Sequence, residues 1–411
     1  MQYQNFSLRQ ILTLTWWNRP DLKHYDGILC DGSIRAGKTV SMADGFILWS
    51  MSRFNGQNFL ICGRTIESLR RNVTNNLSEW LAGVVTITER RSENKLIVTC
   101  GNVTNNYYLF GGKDESSYQL VQGITAAGCL MDEVALMPRS FVEQVLGRCS
   151  VAGSKFWFNC NPENPGHWFF IEWVKKCKER NILHLHFTMN DNPGLDPEIK
   201  ARYEAMFSGV FYRRYILGEW VRAEGLVYPM FDKSAHVITA DKTPKPRHRY
   251  YVSVDYGTVN PFAAGLYDYD PAKRTATMIR EFYWKGGSAN RLDNEAYYQK
   301  LKELIGDFPI EYIVIDPSAA AMKETISKYG EYAVKSANND VLNGIQDVTK
   351  YLNHGVLYFD KSCVETFKEF EAYSWDEEFD EDRVIKENDH SMDQLRYFCR
   401  TVLRADLYFT V

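Results

Sequence analysis

The chain has 411 residues, of which 45% are hydrophobic and 24% charged, with a net charge of −4. This is the make-up of an ordinary globular protein of two domains or so, and the mild acidity argues against a static basic coat for nucleic acid. No run approaches the ~18 apolar residues of a membrane span, and MQYQNFSLRQ lacks the charged start and apolar stretch of a signal peptide, so a cytoplasmic protein is expected. Nine cysteines show neither a C-x-x-C pair nor zinc spacing and read as reduced, scattered thiols.

In chain order, Ile28–Asp31 reads as a strand entering a glycine loop, and Val40–Ser52 as the helix that follows. A strand over Phe59–Gly63, a helix over Ile66–Leu81, and strands over Gly128–Glu133 and Lys155–Cys160 come next. Strands alternating with helices predict a parallel sheet covered on both faces. The texture changes at Asp241–Arg249, which carries two prolines and several basic residues, as an interdomain connection does.

The second half opens with strands near Tyr250–Tyr256, Phe262–Tyr269 and Thr275–Trp284. A helix over Leu292–Ile305, a strand Tyr312–Asp316 and a helix after Ala319 follow. Then come a helix Val341–Leu352, a strand Val356–Phe359 and a helix Asp389–Val402. Three strands and then alternating helix and strand is the order of an RNase H-like fold. The expected division is residues 1–225, a linker over 226–249, and residues 250–411.

The segment Gly32-Ser33-Ile34-Arg35-Ala36-Gly37-Lys38-Thr39 fits G-x-x-x-x-G-K-[ST] at every fixed position. Its glycines let the backbone wrap phosphates, and the helix behind it presents a positive N-terminus. Lys38 is placed to reach the β- and γ-phosphates of ATP, and the Thr39 hydroxyl to ligate Mg²⁺. Arg35 is either a solvated loop residue or a charge for the γ-phosphate. Asp132 and Glu133 end an apolar strand downstream. In such ATPases the first acid holds Mg²⁺ and the second polarises the attacking water. The segment Asn159–Pro165 ends a further strand and reads either as a γ-phosphate sensor or as a proline-rich turn.

A second acidic set is Asp255 on one strand, Asp316 at the end of another, and Asp393 on the last helix, where His390 shares its face. Three carboxylates from distant segments suit a two-metal phosphodiesterase using Mg²⁺ or Mn²⁺. The run Asp376–Asp382 reads as a solvated hairpin tip. Basic clusters at Arg64, Arg70 and Arg71, at Lys175, Lys176 and Lys178, at Arg213 and Arg214, and over Lys242–Arg249 are candidate contacts to DNA phosphates.

The pieces GSIRAGKT, GCLMDEVALMP, FNCNPENPGHW, MNDNPGLDP, YILGEWVRAEGLVYPMF, VDYGTVNPFA, VIDPSAA and HSMDQLRY resemble, in order and spacing, the large terminase subunit of tailed bacteriophages. The resemblance covers almost the whole chain. It implies an α/β protein: an N-terminal P-loop ATPase of the additional-strand glutamate class and a C-terminal RNase H-like nuclease. Gly32–Thr39 would be the Walker A loop with Arg35 as its in-loop arginine, and Asp132 and Glu133 the Walker B acid and catalytic glutamate. Asn161 would belong to the coupling motif. Asp255, Asp316 and Asp393 would ligate the nuclease metals, with His390 nearby as a further candidate ligand. The in-loop arginine stands one place later than in many members. The adenine-gripping residue is sought near Trp16–Arg19.

The implied partners are double-stranded DNA, a small terminase subunit and a portal protein. The protein would form a homo-oligomeric ring on the portal and be a monomer when free. It would reside in the cytoplasm of the infected or lysogenic bacterial host and not be a stable virion component. The competing reading is a helicase-like DNA-remodelling ATPase with a non-cutting C-terminal domain.

Overall fold

The computed structural model describes residues 6–257, 261–285, 292–377 and 381–405. The chain divides into two compact units, Met1–Glu204 with Val210–Arg222, and Ala205–Gly209 with Ala223–Val411.

The strands of the first unit are β1 Gly27–Gly32, β2 Asn58–Gly63, β3 Thr86–Arg90, β4 Lys95–Cys100, β5 Val103–Gly111, β6 Gly128–Met131, β7 Lys155–Asn159 and β8 Ile182–Phe187. They form one sheet in the order β3-β4-β5-β2-β6-β7-β1-β8. From β5 to β8 every pairing is parallel, as expected. The other edge departs from the expectation: β3, β4 and β5 pair antiparallel. Only a tight turn through Gly101 separates β4 from β5, too short for a parallel crossover. One apolar cluster, around Phe46, Trp49, Trp16 and Trp157, covers one face. A second, around Phe141, Phe158, Phe169 and Trp173, covers the other. Buried on both sides, β1 up to Cys30 and all of β6 need the apolar sequence they carry.

The helix expected over Ile66–Leu81 is interrupted. A capping box at Thr65 and Ser68 starts it, and a π turn over Arg70–Thr74 joins Ile66–Leu69 to Asn75–Trp80. The wider turn lets Leu69, Val73 and Leu77, four residues apart, all face the core.

The second unit holds β9 Val237–Ile238, β10 Arg249–Asp255, β11 Phe262–Asp270, β12 Thr275–Trp284, β13 Ile310–Ile315, β14 Val334–Ser336 and β15 Leu357–Asp360, in the sheet order β14-β13-β10-β11-β12-β15-β9. The first three long strands, β10 to β12, pair antiparallel. β13 joins β10, and β15 joins β12, in parallel. This is the RNase H-like order read from the sequence. Part of the 226–249 stretch is not a free connection. β9 pairs with β15, and Phe231 stacks on Phe370 at 4.0 Å. Only its proline-rich end carried a linker composition. The last helix covers His390–Phe398 and continues as a π turn over Cys399–Leu403. The acidic run is flanked by a Trp375–Val384 bridge, as a hairpin would be, while 378–380 lie outside the described residues, as do residues 258–260 within the VDYGTVNPFA piece. Among the described residues no helix is long and apolar enough to cross a membrane. All nine cysteines are free.

Candidate active sites: a phosphate loop and a carboxylate network

β1 ends at Gly32 and a helix begins at Lys38, so the loop sits at the carboxyl edge of the sheet, where such sheets bind ligands. Both of its glycines are required. Gly32 and Gly37 have φ of 125° and 83°. A Cβ would lie 1.9 Å from the Phe187 carbonyl oxygen at Gly32, and 2.2 Å from Gln10 Nε2 at Gly37. The loop borders a pocket of about 420 Å³ lined by Arg35, Lys38, Thr39, Glu133, Asn161 and Asn192, among others. Lys38 is buried, and its ammonium donates to the carbonyls of Gly32 (3.0 Å) and Ser33 (2.7 Å) and to Asn161 Oδ1 (3.1 Å). Burial holds it below the usual lysine range.

Thr39 Oγ1 donates to Asp132 Oδ1 at 3.2 Å. Asn159 joins both acids: its amide nitrogen donates to Asp132 Oδ1 at 2.8 Å, and its carbonyl accepts from the Glu133 N–H at 2.9 Å. Glu133 has a left-handed backbone, φ 58°, which is costly for a residue with a Cβ and turns the chain sharply after Asp132. Burial pushes both carboxyls up, and the neighbouring Asp132 adds to the effect at Glu133. The adjoining hydroxyl and carboxylate of Thr39 and Asp132 are hard oxygen donors that suit Mg²⁺.

Beneath the loop, Asp31 accepts hydrogen bonds from Trp220 Nε1 at 2.7 Å, His184 Nε2 at 2.9 Å and His186 Nδ1 at 3.0 Å. Burial works to raise this carboxyl, but the two histidine bonds outweigh it and hold it well below the carboxylate range. No sequence pattern marked this group, because its members are far apart in the chain. The adenine candidates point elsewhere. Trp16 is buried edge-on against Trp157, Trp17 donates to the Leu14 carbonyl, and Arg19 pairs with Asp21. Gln10, which sequence reasoning did not single out, touches the loop instead.

In the second unit Asp255 ends β10 and Asp316 follows β13. The register pairs Val254 with Ile315, so the two aspartates are neighbours across the strands. Tyr397 Oη donates to Asp316 Oδ2 at 2.6 Å and lies 3.5 Å from Asp255 Oδ1. His390 Nδ1 is 2.8 Å from Asp255 Oδ2. Asp393 accepts from Arg396 Nη2 at 2.9 Å and pairs with Lys386 at 3.3 Å. Asn339 accepts from the same Arg396 nitrogen at 2.9 Å and donates to Asp316 Oδ2 at 3.4 Å. One network thus joins all three aspartates.

Burial pushes Asp255 up, and the charge of Asp393 adds to this, while His390 opposes it. Burial also works to raise Asp316, but its bonds from Ser318 and Tyr397 prevail and lower it. Among the described residues no three carboxylate, imidazole or thiol groups surround one common point as a metal requires. Tyr397, Arg396 and Lys386 take the oxygens a cation would need. The donor chemistry of Asp255, Asp316 and Asp393, all oxygen, still matches a hard divalent ion. Arg396 is buried, and room for its stem comes from Gly344, where a Cβ would lie 2.3 Å from Arg396 Cγ.

Among the candidate contacts to DNA phosphates, several cations have partners within the chain. Arg70 pairs with Glu89 and Asn94, Arg214 is buried against the Val221 carbonyl, and Lys242 holds Asp360.

A phosphate loop on a parallel sheet, with two acids on a nearby strand tip, defines a P-loop ATPase, and the second sheet defines an RNase H-like domain. The family model described as "Terminase large subunit, T4likevirus-type, N-terminal" matches residues 29–234. The chain is 45% identical to the large terminase from a thermophilic bacteriophage, over 97% of this chain and 100% of that one, with a TM-score of 0.89. The same phage protein in complex with ADP matches at 45% identity and a TM-score of 0.85, and in complex with ATP-gamma-S at 44% and 0.84, each over 97% of this chain and 100% of that one. No curated protein matches the chain. The chain belongs to the large terminase subunits of bacteriophages. It is a DNA-packaging motor-nuclease, with an ATPase and a nuclease domain.

Proposed function

We propose that Gly32–Thr39 and Lys38 cradle the phosphates of ATP, that Thr39 and Asp132 hold Mg²⁺, and that Glu133 orients the attacking water. The observation that carries this reading is the Asn159-centred contact set, which gathers Thr39, Asp132 and the Glu133 backbone beside the pocket. The ADP and ATP-gamma-S complexes of the thermophilic phage's terminase support the choice of nucleotide. Arg35 contributes charge at the γ-phosphate, and Asn161, bonded to Lys38, reports its loss. Residues 1–225 make the motor and 250–411 the cutter.

In the cutter, Asp255, Asp316 and Asp393 hold Mg²⁺ or Mn²⁺, which neutralises charge on the scissile phosphate. His390 orients Asp255. Hydrolysis drives double-stranded DNA into a procapsid, from a ring of copies seated on the portal and supplied with DNA by the small subunit. This takes place in the cytoplasm of the infected or lysogenic host. The test uses the full chain. Lys38→Ala should abolish ATP turnover and spare Mn²⁺-dependent plasmid cleavage, and Asp255→Ala should do the reverse. If neither variant loses its activity, the two-centre assignment is wrong.

A further inference from the structure

Arg35 occupies an unusual place in the loop. Its backbone is left-handed, φ 58°, a conformation that a residue with a Cβ keeps only when its surroundings enforce it. Two contacts do so. Asn192 Nδ2 donates to the Arg35 carbonyl at 2.7 Å, and Arg35 Nε donates to the Tyr203 hydroxyl at 2.9 Å. The guanidinium also lies over the Tyr203 ring, 5.2 Å from its centroid. Tyr203 belongs to the helix Pro197–Met206, a segment that supplies none of the phosphate-loop or acid residues.

The donors used are informative. The Tyr203 bond engages Nε, on the inner side of the guanidinium. Among the described residues no protein acceptor takes Nη1 or Nη2. Those two nitrogens form the fork that grips phosphate in a bidentate way. Arg35 and Asn192 both line the nucleotide pocket. The ring and hydroxyl of Tyr203 therefore fix the stem and plane of an otherwise flexible side chain while leaving its phosphate-binding end open.

We propose that Tyr203 is a positioning residue for ATP hydrolysis: it aims the Arg35 guanidinium at the γ-phosphate site. This rests on the assignment of Arg35 to that phosphate. A free arginine would have to be ordered during each turnover, whereas an arginine already stacked and hydrogen-bonded is ordered beforehand. The effect therefore falls on kcat rather than on nucleotide binding, which Lys38 and the loop N–H groups supply.

Steady-state ATPase assays on the full chain test this with Tyr203→Phe, Tyr203→Ala, Arg35→Ala and the double variant Arg35→Ala/Tyr203→Ala. Tyr203→Phe keeps the ring and removes one hydrogen bond. It should lower kcat by about threefold to tenfold with KM for ATP changed by less than about twofold. Tyr203→Ala should lower kcat further. In the Arg35→Ala background, loss of Tyr203 should cost nothing more, because there is no guanidinium left to aim. Effects that multiply in the double variant overturn the proposal, since they show a structural role independent of Arg35. A raised KM with unchanged kcat in Tyr203→Ala also overturns it and makes Tyr203 a nucleotide contact. Wild-type kcat in both Tyr203 variants, with Arg35→Ala impaired, overturns it while leaving the role of Arg35 intact. Wild-type kcat in Arg35→Ala removes the underlying assignment itself. The Tyr203 side chain is only partly buried, so a thermal melt on each variant separates a folding defect from a kinetic one.

Discussion

Asn159 and Asp132 are joined by a 2.8 Å hydrogen bond, and the other end of the same carboxamide holds the Glu133 N–H. One side chain thereby sets the attitude of both acids. Asn159→Ala should lower ATPase kcat by about 10- to 100-fold while nucleotide binding falls much less, as expected for lost orientation rather than lost grip. Steady-state turnover beside a fluorescent-nucleotide titration checks this. Equal losses in both would sink it.

Glu133→Gln keeps size and hydrogen bonding but removes the basic carboxylate. Turnover should vanish and ATP binding should survive. Because burial raises the Glu133 carboxyl, activity in the wild type should also fall as pH drops towards its raised value, where the acid protonates. A pH series on kcat measures this. A flat acid limb argues against Glu133 as the group that receives the proton.

Lys386 shares Asp389 at 3.0 Å and Asp393 at 3.3 Å, and its side chain is well exposed. It competes with any cation for Asp393. Lys386→Ala should therefore reduce the Mn²⁺ concentration needed for half-maximal plasmid cleavage, leaving ATPase unchanged. A raised requirement would mean that the lysine helps assemble the site instead.

Gly344 leaves space for the buried stem of Arg396. Gly344→Ala improves helix propensity but places a methyl group within 2.3 Å of Arg396 Cγ. Overpacking of this kind costs about 1–3 kcal/mol. The melting temperature should fall, with Arg396 pushed from the place its stem holds beside Gly344. A stabilised variant would contradict the packing argument.

Asp44 is buried on the helix behind the loop, with one carboxyl oxygen unpartnered, and burial pushes its pKa to about 7. A folded-state pKa above the unfolded value of about 4 means a penalty that is absent at low pH, grows as pH rises, and is complete above about 7. Asp44→Asn should stabilise the protein at pH 8 by roughly 1–3 kcal/mol and do little at pH 4. Thermal melts at the two pH values decide it.

The legible parts of the fold were those with local signatures. β1 is apolar through Cys30 before Asp31 and the glycine loop, β6 is an apolar run ending in acids, and RNase H order follows from three consecutive strands. β3, β4, β5 and β8 are absent from the sequence reading; each mixes polar with apolar residues and is half-exposed, as in Thr86-Ile-Thr-Glu-Arg, so none stands out as an apolar run. Asp255 and Asp316 were readable as strand-end acids, whereas Arg396, Asn339 and Tyr397 were not. Nothing in a chain position announces that Tyr397 will reach carboxylates 81 and 142 residues away, or that Asn339 will reach one 23 residues away. For the basic clusters, composition cannot distinguish an arginine facing solvent from Arg214, which is spent on a backbone carbonyl.

The knot at Asp31 limits where the first unit can flex. The residue just upstream of Gly32 is pinned by two imidazoles and an indole, and a regular helix begins at Lys38. Any play in the backbone around a nucleotide is thus confined to the few peptides between these clamps. Within that short span the side chains of Asn192, on the Arg35 carbonyl, and Tyr203, on the Arg35 guanidinium, are placed to feel such play.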